Sequence, residues 1–207
     1  MRCRSDERGF TLVELLVAVF LLSIVLGSIY MGLDSMQNSA AGATERLVNL
    51  DEARVLMATL TRDIRSAARL SPTSSPFVLA ADRELIFYSN IAATQPPNRV
   101  RIYVDADNRL VEEVIAPTGS NGNYEYNRAP TVRVVGAYVV SGYDIFNYYD
   151  AAGNELTTRP MTAQDLLNIK QVEVTISIRS GPRADIATTL VNRVRLPNVD
   201  WNPVVGN

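Results

Sequence analysis

The 207-residue sequence contains no histidine and only one cysteine, Cys3. Histidine titrates nearest to neutral pH, and together with cysteine it supplies most protein ligands for zinc. Their scarcity excludes thiol catalysis, a Cys/His metal site and an intramolecular disulfide. We therefore expect a protein that is not an enzyme, with no catalytic residue, no cofactor, no resident metal and no small-molecule substrate.

Excess positive charge is also missing. Acidic residues outnumber basic ones by 22 to 20, and Lys170 is the only lysine. A protein that binds nucleic acid through its phosphates normally carries a basic surface. We therefore expect no nucleic-acid partner, and the length fits one globular domain with at most a small appendage.

A long apolar run spans residues 10–33, in which Glu14 and the phenol of Tyr30 are the only ionisable groups. Twenty-four residues of helix at ~1.5 Å per residue measure about 36 Å, enough to cross a hydrocarbon core of about 30 Å. Arg2, Arg4 and Arg8 precede the run. Because positive residues tend to stay in the cytoplasm, the rest of the chain is expected on the opposite side of the membrane.

Glu14 does not fit a simple membrane anchor. The run is longer than the apolar core of a cleaved secretory signal, which is roughly 7 to 15 residues. A carboxylate at the centre of a membrane helix costs ~2.5 to 3.5 kcal/mol on insertion scales, and such residues usually have a function. A signal anchor accounts for the length and the orientation but leaves Glu14 unexplained.

The segment RGFTLVELLV at residues 8–17 resembles the class III signal of type IV prepilins and type II secretion pseudopilins. Glycine, phenylalanine, threonine, leucine and glutamate have the spacing of that family. The resemblance implies that prepilin peptidase cleaves between Gly9 and Phe10 and methylates the new amine of Phe10. It also implies that Glu14 of one subunit neutralises the Phe10 amine of its neighbour during assembly. Because desolvation offsets much of that attraction, we expect the pair to set register more than stability.

The sequence departs from the family in one respect, since no proline occurs before Pro72. Gly27 and Gly32 are candidate weak points of the helix, because glycine lowers helix stability by ~1 kcal/mol relative to alanine. They are equally consistent with close packing between helices.

Beyond residue 33 a helical period persists, and Ser71-Pro72 supplies a stop signal. We predict one helix from about Leu12 to Ala68, with its second half packed on the globular domain. The predicted apolar stripe consists of Leu47, Leu50, Ala53, Met57, Leu60, Ile64 and Ala67.

After Pro72 the pattern is typical of strands separated by turns, with one short helix at 162–169 that Thr162 would cap. The fold class is therefore α+β, a pilin-like long N-terminal helix packed on a mostly antiparallel β-sheet domain. We divide the chain into a leader (1–9), a transmembrane and assembly helix (10–33), an amphipathic helix (34–70) and a β-rich domain (71–207). The predicted strands are 77–80, 84–89, 100–104, 109–115, 132–140, 144–149, 171–178 and 188–196.

Several groups of residues admit a functional interpretation beside a structural one. Asp105, Asp107 and Asn108 begin like a calcium loop, as do Asp150 and Asn154, but both lack the EF-hand spacing and fit turns better. Glu112 and Glu113 are adjacent acids on opposite faces of a strand, and we expect one exposed strand residue and one residue near a turn. The polar loop at 116–128 is either a plain surface loop or a subunit contact. We expect the aromatic cluster (Tyr143, Phe146, Tyr148 and Tyr149) in the core. The tail at 200–203 either anchors a strand end or binds a partner.

The segment LTRDIRSA at residues 60–67 resembles the helix end of J-type minor pseudopilins and W-type, PilW-like minor pilins. That resemblance implies a minor subunit at or near the tip of a type IV pilus or type II secretion pseudopilus. Expected partners are prepilin peptidase, other minor and major pilins or pseudopilins, and the membrane. The expected location is the inner (cytoplasmic) membrane, with a single span and an extracytoplasmic domain. The alternative is a membrane-anchored adhesin or binding domain that does not polymerise.

Overall fold

A computed structural model describes residues 11–90, 96–120, 123–137, 139–140, 142–179 and 187–197. The chain divides into two compact units, Met1–Thr44 and Glu45–Asn207. The leader, Gly9, Phe10, the predicted turn at 180–182 and the tail at 200–203 lie outside the described residues.

A single helix, α1, spans Leu12–Arg65 and contains 54 residues. This confirms the predicted helix, although the observed helix ends at Arg65, three residues before the predicted end at Ala68. The last turn tightens, since the Ser66 N–H donates to the carbonyls of Arg62 and Asp63 and the Ala67 N–H donates to that of Ile64. Ala67 then forms a bridge with Ser89. The chain therefore leaves the helix by pairing directly with the sheet.

The larger sheet has five antiparallel strands in the order β1-β2-β3-β4-β7. A further hairpin lies between β4 and β7, where the sequence predicted only a polar loop. The strands up to this point are β1 (Phe77–Ala80), β2 (Glu84–Ser89), β3 (Asn98–Val104), β4 (Leu110–Ile115), the hairpin strands β5 (Thr118–Ser120) and β6 (Asn123–Glu125), and β7 (Thr131–Gly136).

The smaller sheet has three antiparallel strands in the order β10-β9-β8. They are β8 (Phe146–Tyr149), β9 (Gln171–Arg179) and β10 (Ala187–Arg195). Helix α2 (Ala163–Asn168) precedes β9, and Thr162 caps it as predicted. The α+β class with antiparallel sheets is therefore confirmed.

The strand predicted at 132–140 is too long. β7 ends at Gly136, where an added Cβ would lie 2.8 Å from Leu56 Cδ2. Val139 then bridges to Ile178 of β9, in the other sheet. The apolar run therefore contributes to two sheets, which its hydrophobicity alone does not reveal.

The core of the second unit lies between α1 and the two sheets. Ala53, Met57, Leu60, Ile64 and Ala67 are buried, which confirms most of the predicted stripe. Leu47 is 63% exposed, so its assignment to the stripe is wrong. The largest fully buried partners from the sheets and their flanks are Tyr148, Phe87, Phe146, Leu85, Ile102, Leu110, Ile169, Ile176 and Ile178.

Candidate functional site

Glu14 is the one predicted site residue that the structure describes, and it lies in the first turn of α1. Its Oε2 atom accepts hydrogen bonds from the Thr11 backbone N–H at 3.0 Å and from the Thr11 hydroxyl at 2.9 Å. The Glu14 N–H donates to Thr11 Oγ1 at 3.2 Å. These reciprocal bonds form a capping box, in which two backbone donors at a helix start are satisfied by side chains.

Sequence reasoning did not identify Thr11 as the partner of Glu14. The signal was present, because Thr-x-x-Glu before an apolar run is the pattern of a capping box. The expected partner was the positive charge on a neighbouring subunit. Within one chain, Glu14 already has hydrogen-bond donors, and its negative charge also suits the positive end of the helix dipole.

The helix surface that follows Glu14 is apolar on all sides as far as Leu33, and it is exposed. Every residue from 11 to 40 is exposed, including large side chains such as Leu12 at 79% and Phe20 at 64%. Among the described residues, α1 is the one helix long and apolar enough to cross a membrane. Gly27 and Gly32 lie in this continuous helix, and an added Cβ at either would meet no atom within 4 Å.

A second ionisable cluster joins α1 to β4. Asp63 and Glu112 are buried, which contradicts the expectation that Glu112 is exposed or near a turn. Burial, and next the charge of Glu112, raise the pKa of Asp63 to about 6. The Arg133 guanidinium donates to Glu112 Oε2 at 2.6 and 2.9 Å, and Arg62 Nε donates to Asp63 Oδ1 at 3.2 Å. The two arginines hold an acid pair between the helix and the sheet.

Glu113 points to the opposite face of β4, as strand geometry requires. It accepts hydrogen bonds from Arg101 Nη1 at 3.2 Å and from the Tyr103 hydroxyl at 3.0 Å. Arg101 Nε also donates to Glu84 at 2.7 Å. Glu113 is thus partly buried in a cross-strand ion-pair network, so neither member of the pair is the exposed strand residue that we expected. The two carboxylates cannot act on one bond.

The aromatic cluster is only partly as predicted. Phe146 and Tyr148 are fully buried, and the Tyr148 hydroxyl donates to the Ala81 carbonyl at 2.7 Å. Tyr149 is buried, and the Arg193 guanidinium lies 3.6 Å from the centre of its ring. Tyr143 is 59% exposed and does not belong to the core.

Both acidic loops form the turns that the sequence predicts. Asp105 Oδ1 accepts from the Asp107 and Arg109 N–H groups at 2.9 and 2.8 Å, between β3 and β4. Asp150 accepts from the backbone N–H of Asn154 at 2.8 Å and from its side chain at 3.0 Å. In both turns the carboxylate bonds to its own loop, as in an Asx-turn.

Residues 4–30 match the family model of the prokaryotic N-terminal methylation motif. No curated protein matches the chain. The matched segment includes Arg4 and Arg8 of the leader, the expected cleavage position and the start of α1. The match supports a type IV pilin-like or pseudopilin-like protein, which points to a structural subunit rather than an enzyme. The motif also implies processing by prepilin peptidase and assembly with other pilins, and the apolar helix is consistent with a membrane anchor.

Proposed function

We propose that the chain is a minor pilin or pseudopilin, assembled at or near the tip of a type IV pilus or type II secretion pseudopilus. Prepilin peptidase removes residues 1–9 by cleavage between Gly9 and Phe10. Residues 10–33 hold the subunit in the inner membrane and later pack against neighbouring helices. The domain from residue 71 onward lies outside the cytoplasm, joined to the membrane segment by residues 34–70.

The observation that carries this proposal is the methylation motif at residues 4–30, placed at the head of a helix whose apolar surface is exposed on every side. A helix that is hydrophobic all round must be covered, either by lipid or by other helices. A pilin-type subunit meets both conditions in turn, since it begins in the bilayer and ends in a fibre.

Glu14 has a partner at each stage of this proposal. Before assembly, Thr11 supplies two donors to its carboxylate, which lowers the cost of keeping a charge at the membrane edge. After cleavage, the Phe10 amine of a neighbouring subunit supplies a full positive charge. The gain over the capping box is electrostatic, and it is available only in one axial register.

The resemblance of residues 60–67 supports a J-type or W-type minor subunit. In the structure, this segment contains Asp63 and ends the packed part of α1. The burial of Asp63 supports a role for this segment in joining the helix to the sheets.

Amino-terminal sequencing of the protein from its host tests the proposal. We expect the mature chain to begin at Phe10 with a methylated amine. Retention of the leader would remove the amine that Glu14 needs, and the non-polymerising adhesin would then be the better interpretation.

Fractionation of Glu14→Ala tests the assembly step. We expect normal cleavage and membrane insertion but strongly reduced incorporation into fibres, with Asp51→Ala, an exposed acid on the same helix, as the matched control. Normal incorporation of Glu14→Ala would exclude Glu14 from the mechanism.

A further inference from the structure

β10 is a terminal strand of the smaller sheet, and within the described residues no strand pairs with its outer edge. The direction of its backbone groups follows from β9. The Thr175 N–H donates to the Ile145 carbonyl, away from β10, and Thr175 lies opposite Val191. In an antiparallel pair, such a residue and its partner form a non-hydrogen-bonded pair. The Val191 N–H and C=O therefore point to the open edge, as do those of Thr189 and Arg193.

A groove of about 560 Å³ runs between β10 and α1. Its floor is apolar, because Met57 of α1 and Leu190 of β10 line it. A hydrogen bond of 2.9 Å from Asn192 Nδ2 of β10 to Thr61 Oγ1 of α1 joins the two elements. The groove thus lies on the sheet face to which the even-numbered side chains of β10 point.

The wall that α1 contributes is basic. Arg54, Arg62 and Arg65 line the groove, and among the described residues no carboxylate lines it. Arg54 contacts Asp51 at 3.5 Å, with both side chains mostly exposed, and such a surface pair is weak. Arg62 contacts Asp63, whose raised pKa weakens that pair as the pH falls towards 6. All three arginine side chains are exposed, so their guanidinium groups can reach carboxylates that enter the groove.

We propose that β10 and this groove bind an extended, acidic segment of another protein chain as an added β-strand. Backbone groups of the segment would pair with Val191 and its alternate neighbours, as in other cases of strand addition. Every second side chain of the added strand would lie over the groove. Apolar side chains there would cover Met57 and Leu190, and carboxylates would reach the arginines. This inference goes beyond fibre assembly, because it concerns the globular unit.

The test uses the full-length chain in detergent micelles and a fluorescent peptide of about eight residues, in which every second residue is alternately valine or glutamate and the others are threonine, so that one face carries both valine and glutamate. We expect this peptide to bind, and we expect at least about tenfold weaker binding when lysine replaces glutamate, or when its edge-facing amides are N-methylated. Equal binding of the acidic and lysine peptides, or no effect of N-methylation, would overturn the proposal.

Variants of the protein test the same surface. Val191→Pro removes an edge-facing N–H without removing a β9–β10 hydrogen bond, while Val191→Ala changes only the side chain. We expect the first to weaken binding of the acidic peptide at least about tenfold and the second less than about threefold. The double variant Arg54→Glu/Arg65→Glu should also lose about tenfold or more, unlike Arg46→Glu, which alters an exposed arginine elsewhere on α1. Equal binding by Val191→Pro and Val191→Ala would contradict strand addition.

Truncation of the chain after Pro197 tests whether the chain's own C-terminal segment occupies the groove. If the acidic peptide binds only the truncated chain, the groove is occupied by the chain's own C-terminal segment, and the proposal of a partner is wrong. Unchanged binding after truncation supports the partner. The measurement requires neither cleavage at Gly9 nor a fibre, so its failure is distinguishable from failure of the proposed function.

Discussion

The two halves of α1 have similar backbones and opposite relations to their surroundings. Residues 11–40 are all exposed, although the segment contains many leucine, valine and isoleucine side chains. Between residues 53 and 64, by contrast, Ala53, Leu56, Leu60 and Ile64 form a stripe that is at most 2% exposed. As far as Leu33 the first half is apolar on all sides, whereas the second half is apolar on one side only.

This difference shows how one helix serves two environments. A one-sided stripe can be buried completely by a single sheet layer, so the second half is satisfied within its own chain. A helix that is apolar on all sides cannot be buried by one sheet layer, so its surface must be covered by lipid or by several neighbouring helices. The first half therefore carries information about the surroundings of the protein, and the second about its own fold.

Truncating a leucine in each half should produce the largest contrast. Leu60 is 1% exposed, so Leu60→Ala leaves a cavity and should lower the free energy of unfolding by about 2 to 5 kcal/mol. Leu26 is 56% exposed, and Leu26→Ala should leave unfolding of the globular unit unchanged. Urea denaturation of both variants in the same detergent measures this, and equal destabilisation would mean that the two halves are not independent.

The buried acid in the packed half should make the stability of the globular unit depend on pH. The pKa of Asp63 is about 6 in the fold against 3.8 ordinarily, so the folded state binds more protons than the unfolded state between those values. The contribution of Asp63 to stability therefore increases as the pH falls from 7 to 4, by at most about 3 kcal/mol.

Comparison with Asp63→Asn isolates this contribution. The amide has no charge to bury, so the variant should be more stable than the wild type at pH 7 and should lose most of the difference near pH 4. Asp51→Asn, on the exposed side of the same helix, is the control. Parallel pH profiles of unfolding for wild type and Asp63→Asn would show that Asp63 is not responsible.

Glycine substitutions provide a smaller contrast, between Gly136 in strand β7 and Gly27 in the exposed half of α1. A Cβ at Gly136 would lie 2.8 Å from Leu56 Cδ2, so Gly136→Ala should cost about 1 to 3 kcal/mol as the leucine moves. A Cβ at Gly27 meets no atom within 4 Å, and Gly27→Ala should leave the unfolding of the globular unit unchanged. Thermal unfolding in micelles compares them, and a neutral Gly136→Ala would mean that Leu56 has room to adjust.

The sequence predicts elements well where one period dominates. The bounds of α1, β1, β2 and α2 follow from apolar spacing and capping residues, and the observed elements agree within a few positions. Errors arise where contacts distant in sequence decide. Val139 belongs to a different sheet from β7, and Glu112 is buried because Asp63 and Arg133 meet it from the helix and from the next strand. No local pattern contains that information.

The candidate site shows the same limit. Gly9, Phe10 and Glu14 were identified through a motif, and Glu14 is the member that the structure describes. The Thr-x-x-Glu spacing alone predicts the hydrogen bonds between Thr11 and Glu14. They were not expected, because the predicted partner of Glu14 lay on another subunit. The basic wall beside β10 could not be found from sequence, because Arg54 and Arg65 become neighbours of Leu190 only after the sheet packs on α1.

The smallest expected effect comes from two capping boxes of the same design, one in each unit. Thr162 and Asp165 at the start of α2 repeat the bonds of Thr11 and Glu14, with distances of 3.1, 2.7 and 3.2 Å. Thr162→Ala should lower the free energy of unfolding by about 1 kcal/mol, because it removes a cap of a helix whose Leu166 carbonyl accepts from the Ser75 hydroxyl.

Thr11→Ala removes the hydroxyl of the equivalent cap in the other unit, so unfolding of the globular unit should not change. If the cap only starts the helix, fibre incorporation of Thr11→Ala should also remain normal. If the cap keeps Glu14 satisfied before assembly, incorporation should fall while Thr162→Ala assembles normally. The proposed function favours the second result, since a carboxylate that has lost the Thr11 hydroxyl and keeps only the backbone N–H of residue 11 costs more to hold at the membrane edge. Fractionation of the two threonine variants side by side therefore separates a structural cap from one that prepares Glu14 for its neighbour.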